Sequence, residues 1–280
     1  MPLPVFVSET LHHEAIDWAT RVSANGGTIS TTTLRAVSDF CAAIDRSGLR
    51  SSMYRLNLFA GGNLSGCLVP LYRSASFGGT HLGNATDTNA NFVSGDFVET
   101  GSTGGLKGNG VNKWLNTGLT QANIGSVLNI HMSASGTSLE TGPTGARAAL
   151  VGAYTNAASN ASILWARDNI FTGRVAYSGN FNHVTGTSTA TESHVLFSRS
   201  SSTSSNLYQG GSSVSSNLAG ASSSAGTAAF GVFAVGFSGG IASEYTAARI
   251  RMYSIGTSLN ATQAAAFSAA VIQFNAALGR

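Results

Sequence analysis

Residues 248–280 read ARIRMYSIGTSLNATQAAAFSAAVIQFNAALGR. The first part alternates. Ile250 and Met252 point to one side of a strand, and Arg249, Arg251 and Tyr253 to the other. The second part is helical. Asn260 with Gln263 three residues on forms a capping box. Phe267, Ala270, Val271, Phe274 and Leu278 then make an apolar stripe, and Gly279 closes a helix expected at about 260–278. The stretch reads as a strand, a small turn and a closing helix.

Working back from that stretch, the middle of the chain is strand-like. Short apolar or alternating runs lie at Arg55–Ala60, Leu68–Tyr72, Phe92–Val98, Val127–Met132, Ala148–Tyr154, Ile163–Ala166, Arg174–Tyr177, His194–Ser198, Ala228–Phe237 and Ala247–Ile255. Glycine- and asparagine-rich turns separate them, the pattern of a sandwich or barrel. Residues 199–226 are nearly all small and polar, and read as loops around a weak strand at Asn206–Tyr208. The first fifty residues differ. Residues 8–24 predict a helix with Leu11, Ala15, Ile16, Ala19 and Val22 near one face, ended by Asn25-Gly26-Gly27. Residues 31–47 predict a second, capped at Ser30 or Thr31, with Leu34, Val37, Cys41 and Ile44 at helical spacing and Gly48 at its end. The division expected is 1–50, helical, and 51–280, a sandwich closed by a helix.

Composition narrows the function. The 280 residues are 42% hydrophobic but only 10% charged, with 34 glycines. An ordinary soluble domain is about 25% charged. Coiled coils, charged tails and helical bundles are excluded, and hydroxyls and amides are expected to keep the surface wet. The net charge of +3 is carried by arginines scattered from Arg21 to Arg280, with two lysines, Lys107 and Lys113. No basic stripe forms, so nucleic acid is not an expected partner. Cys41 and Cys67 are too few for a disulfide scaffold or a zinc site. The start, MPLPVFVSETLHHEA, has neither a basic n-region nor a long apolar h-region, so no signal peptide is expected. The apolar stretch Ala228–Phe237 is far short of the roughly 20 residues of a membrane helix, so membrane insertion is not expected.

Motifs for chemistry are weak. Gly236-Phe237-Ser238-Gly239-Gly240 matches the nucleophile elbow, but neither Asp nor His follows it. Gly104–Gly110 lacks the Lys-Ser/Thr ending of a phosphate loop and reads as a tight β-connection. Asp87, Asn89 and Asn91 alternate like calcium ligands, yet Phe92 and Val98 stand where an EF-hand needs glycine and glutamate. An Asx-turn loop explains them better. The adjacent His12 and His13 point about 100° apart on a helix and make a poor chelate, while His183 and His194 face each other only if their strands pair. Glu99, Glu140, Glu192 and Glu244 each lack a second acid two residues away, so the carboxylate pair of a glycosidase strand is missing.

Two stretches carry a resemblance. The close at 248–280 resembles the last strand and helix of concanavalin A-like (laminin G-like) jelly-roll modules. Val37–Leu119, with GLR at 48–50, RLNLFAG at 55–61, LVPLYR at 68–73, NFVSGDFVETG at 91–101 and GLKGNGVNKWLNTGL at 105–119, is similar to uncharacterised proteins of tailed bacteriophages and some bacteria. The resemblance implies a mainly β, concanavalin A-like jelly-roll β-sandwich with a short helical N-terminal region. It implies a virion structural protein exposed on the particle (head decoration, fibre or tail-associated), made in the host cytoplasm. The expected partners are itself, with a trimer favoured, and other virion proteins. No catalysis and no cofactor are expected. Arg249 and Arg251 are the expected interface anchors. Recognition of a host surface glycan is the alternative, through Trp114, Trp165, Tyr208, Asp87, Asn89 and Asn91; a glycan-cleaving enzyme is a third reading.

Overall fold

Helix α1 (His13–Ala24) starts where the ring of His12 accepts the backbone N–H of Glu14, and it ends at Asn25. Helix α2 (Thr31–Arg46) starts at Ser30, whose hydroxyl accepts the Thr33 N–H at 3.0 Å. It ends in a glycine turn. Gly48 has φ +63°, and the N–H groups of Gly48 and Leu49 return to the carbonyls of Asp45 and Ile44. The computed structural model describes residues 10–139, 147–155, 161–167, 170–175, 184–187, 192–217, 225–240 and 242–280. The first helix is therefore seen to begin at 13, and Ile16, placed by its spacing on the inner face, is 50% exposed while Trp18 is buried.

Two sheets follow. The first runs Ser212–Asn217, Ser204–Gln209, Glu192–Ser201, Ile130–Thr137, Arg249–Gly256, Gly105–Lys107, Phe97–Val98, with Met53–Asn57 also paired to Arg249–Gly256. The second runs Val184–Thr187, Ile170–Val175, Ala161–Arg167, Ala148–Tyr154, Ala229–Val232, Trp114–Thr120, Thr88–Ala90. Both are antiparallel, apart from Val235–Phe237, which pairs parallel to Ala148–Tyr154. Leu68–Tyr72, expected as a strand, makes only an isolated bridge from Tyr72 to Leu56. The serine-rich region holds a full hairpin, Ser204–Gln209 with Ser212–Asn217, where one weak strand was expected. The chain is a mainly β sandwich, preceded by helices and closed by the helix Ala261–Ala277. Among the described residues no helix is long and apolar enough to cross a membrane.

The layers are decided by side-chain alternation. Met132, Val195, Phe197, Tyr253 and Ile255 point between the sheets, where they meet Leu115, Leu150, Leu164 and Phe230. The opposite face of the first sheet is covered by helix, and Leu196, Tyr208 and Met252 pack there with Trp18, Val37, Phe40, Phe267 and Phe274. A bulge lies between Ile250 and Met252. It adds one residue to the strand, so Ile250 and Tyr253 face the sandwich core while Met252 faces the helices. The simple alternation expected for 249–253 is corrected accordingly.

The helix-facing surface of the first sheet is also polar. His131 Nε2 meets Ser254 Oγ at 2.9 Å, and Ser254 meets Ser133 at 2.7 Å. From the closing helix, Ser268 meets His194 at 2.7 Å and Asn275 donates to Ser135 at 3.2 Å. Part of the hydroxyl content that composition assigns to the surface is thus spent inside. Because α1 and α2 share this layer with Leu56, Leu58 and Met252, the expected boundary at 50/51 is not a boundary in packing.

Candidate functional site

Helix α1 carries Glu14, Asp17 and Arg21, spaced so that they line one side of the helix from its first turn to its last. The connection after the short helix Leu64–Cys67 returns beneath them with Leu71, Arg73, Ser74, Phe77, Gly78 and His81. Arg50, just past α2, completes a cleft of about 140 Å³.

Most of its charge is committed. Arg50 Nε donates to both oxygens of the buried Glu14 at 2.7 and 2.9 Å. Its Nη1 donates to the carbonyls of Met53 and Ser74, and its guanidinium lies 4.0 Å from the centre of the Tyr72 ring. Arg21 Nε donates to Asp17 at 2.8 Å, and its two Nη atoms donate to the carbonyls of Pro70 and Leu71. Arg73 is different. Its side chain has neither hydrogen bond nor ion pair among the described residues. Burial first, then Arg21 and Arg55, lowers its pKa. His81 at the mouth is lowered too, by burial first and then by Arg73 and Arg21. Phe77 stands at the rim, 54% exposed, edge-on to His13 at 4.5 Å between ring centres.

Beside the cleft, one ligand atom each of His12, His13 and Glu14 lie within 4.8 Å of one another. The donors of His12 and Glu14 are in use. His12 Nε2 meets Asp45 at 3.0 Å, its Nδ1 accepts the Glu14 N–H, and Arg50 takes both Glu14 oxygens. The rings of His12 and His13 stack at 4.5 Å. The set does not fit a metal ion.

The residues expected to touch glycan are placed differently from that expectation. Trp114 is 8% exposed, in the core between the sheets. Trp165 is 3% exposed, packed with Ala149, Ile163 and Val235, with Arg147 over its ring. Tyr208 is buried under the helices. Asp87 is not a surface ligand. It is buried with Arg55, whose Nη2 donates to it at 2.6 Å, while Tyr253 Oη donates at 2.7 Å and Asn57 Nδ2 at 2.8 Å. Arg55 Nη1 also holds the carbonyls of Leu82 and Asn84, so this network pins the 82–87 loop. Asn89 and Asn91 remain exposed. Asn89 forms the Asx turn with the Phe92 N–H, and Asn91, at φ +70°, donates to the Asn112 carbonyl. Of the two expected interface anchors, one is buried and the other half-buried. Arg251 is buried and donates to the carbonyls of Ser102 and Gly104, and Arg249 donates to that of Gly105. Both bond within the chain.

The other motifs resolve as turns. Gly104–Gly110 is a strand start and turn with φ +115° at Gly105 and +70° at Gly110. Ser238 follows a strand end, with Gly239 and Gly240 at positive φ. His194 is buried on Ser268, and His183 and Glu140 lie outside the described residues. Sequence reading missed Arg21, Arg50, Arg73 and Phe77, which are spread over 57 positions and meet only through the fold. The helical spacing of Glu14, Asp17 and Arg21 was the one visible signal.

No family model matches the chain, and no curated protein matches it. Solved structures do. The serotype D botulinum neurotoxin binding domain is similar with a TM-score of 0.49 and 11% identity, over 77% of this chain and 51% of that one. A Trypanosoma rangeli sialidase in complex with the inhibitor DANA is similar with a TM-score of 0.48 and 13% identity, over 84% and 38%. The NanB sialidase of Streptococcus pneumoniae is similar over 56% and 26%, with a TM-score of 0.44 and 15% identity. The chain spans about half or less of the length of these structures. Sialidases are among these similar structures, and the expectation that the chain has no enzymatic activity is withdrawn. A missing pair of acids along one strand is no ground for that expectation, because carboxylates far apart in sequence converge in folds.

Proposed function

We propose that this chain is a structural protein exposed on a bacteriophage particle, a head decoration, fibre or tail-associated subunit, which acts by self-assembly and display. The observation that carries the reading is the edge of the first sheet. Ser212–Asn217 ends that sheet, and no described strand pairs with its outer side. Soluble proteins blunt such edges with charge or proline. Here no charged residue and no proline lies between Arg199 and Glu244. Val214 sits in the edge, 42% exposed. An unguarded edge is a template for pairing with a second copy, and repeated copies give multivalent contact. The resemblance of Val37–Leu119 to tailed-bacteriophage proteins supplies the particle. Light scattering is expected to show an oligomer, with a trimer favoured, and Val214→Lys is expected to give monomer. A sharp wild-type monomer at high concentration sinks the assembly reading. Absence of the chain from purified particles by mass spectrometry sinks the virion reading.

A second reading, recognition of a surface glycan, is favoured by the exposed Phe77 beside Arg73 rather than by the tryptophans. Glycan-array binding that is lost in Phe77→Ala would support it.

A further inference from the structure

Three guanidiniums and two carboxylates line the cleft under α1. Pairing removes two of each. Glu14 is neutralised by Arg50 and Asp17 by Arg21, and both arginines also donate to main-chain carbonyls. Arg73 is the charge left over. It is partly buried, lines the cleft, and keeps a full fork of N–H donors without an acceptor among the described residues. The field at the mouth is therefore positive although Asp17 is close. His81 records it, since Arg73 and Arg21 both add to the burial that disfavours its imidazolium. Across the mouth, Phe77 holds an apolar ring in solvent next to Gly78, where a Cβ would meet nothing within 4 Å.

We propose that Arg73 anchors a binding site for a small oxyanion-bearing ligand, with the oxyanion on its guanidinium and the body of the ligand against Phe77. A guanidinium fork matches two oxygens of a carboxylate or phosphate, and such charge-assisted bonds are the strong ones. A cleft of about 140 Å³ has room for that group and not for a whole oligomer, so the rest of the ligand lies over the rim. The carboxylate of an acidic sugar and a phosphate group share this chemistry. In the first case the site rests on the glycan reading and gives it a substrate class; in the second it stands without it.

The test follows the His81 ring by NMR in the full chain during titration with sodium glucuronate, glucose and inorganic phosphate. A bound anion cancels the field of Arg73, so the His81 pKa is expected to rise on binding. Arg73→Ala is expected to weaken binding about tenfold or more while near-UV circular dichroism stays native, since Arg73 makes none of the buried bonds. Arg73→Lys restores only part, having lost the fork. Phe77→Ala weakens glucuronate and spares phosphate if the ligand is a sugar. Phosphate binding alone, lost in Arg73→Ala, supports the site and assigns it to phosphate. If neither anion moves His81, or binding survives Arg73→Ala, the site is overturned. Glucose bound as well as glucuronate, unchanged in Arg73→Ala, overturns the anion site and leaves the glycan reading standing.

Discussion

Asp87 shows how a residue's role depends on what surrounds it. In sequence it heads a run of alternating oxygen ligands. In the fold its oxygens take hydrogen bonds from Arg55, Tyr253 and Asn57, all buried. A buried ion pair contributes little net stability, but removing one partner strands the other charge. Asp87→Ala is therefore expected to cost about 3–5 kcal/mol in urea unfolding, and Tyr253→Phe only about 1 kcal/mol. Equal small losses from both would mean that Arg55 finds solvent instead. Nothing at positions 55, 57, 87 and 253 announces this cluster. The partners are up to 198 residues apart, and a lone Arg in a strand reads as surface.

At the scale of elements, the closing helix is the part most legible in the sequence. Its capping box forms as expected, with Asn260 Oδ1 accepting the Gln263 N–H and Gln263 Oε1 accepting the Asn260 N–H, both at 3.0 Å. What it packs on was not legible. It lies on two buried histidines, both lowered mainly by burial, His131 to about 4 and His194 to about 3. A thermodynamic consequence follows. The unfolded chain, with histidines near 6.5, binds protons more readily than the folded one. Stability from these groups is full above about pH 6.5 and is lost as pH falls toward about 4 and then about 3. The slope is up to about 1.4 kcal/mol per pH unit for each histidine. Urea midpoints are expected to fall as pH drops below about 6.5, and to fall less steeply in His194→Gln. A midpoint indifferent to pH between about 6.5 and 4.5 would remove this account.

At the scale of the molecule, α1, α2, the first sheet and the closing helix enclose one apolar layer that includes Trp18, Phe40, Leu56, Met252 and Phe267. Residues 51–280 expressed alone are expected to expose this layer, bind hydrophobic dyes and lose the cooperative unfolding of the whole chain. A cooperative, soluble 51–280 fragment would show instead that the sandwich stands by itself. The low charge takes on a different meaning at this scale as well. Serines expected outside line the seam under the closing helix, while the hairpin at the sheet edge, Ser204–Gln209 with Ser212–Asn217, carries no charged residue. By itself, the sequence determined the local elements: glycine-ended helices, short strands between turns, a capped closing helix, and the failure of each familiar catalytic motif. These depend on neighbours within a few positions, whose spacing and backbone preferences are written in order along the chain. Only the tertiary structure decided which faces are covered, that a single-residue bulge turns Met252 to the helices, that the tryptophans are inside, and that Arg73 has neither hydrogen bond nor ion pair among the described residues. Those outcomes come from contacts between distant residues, and burial and charge pairing have no period along a chain.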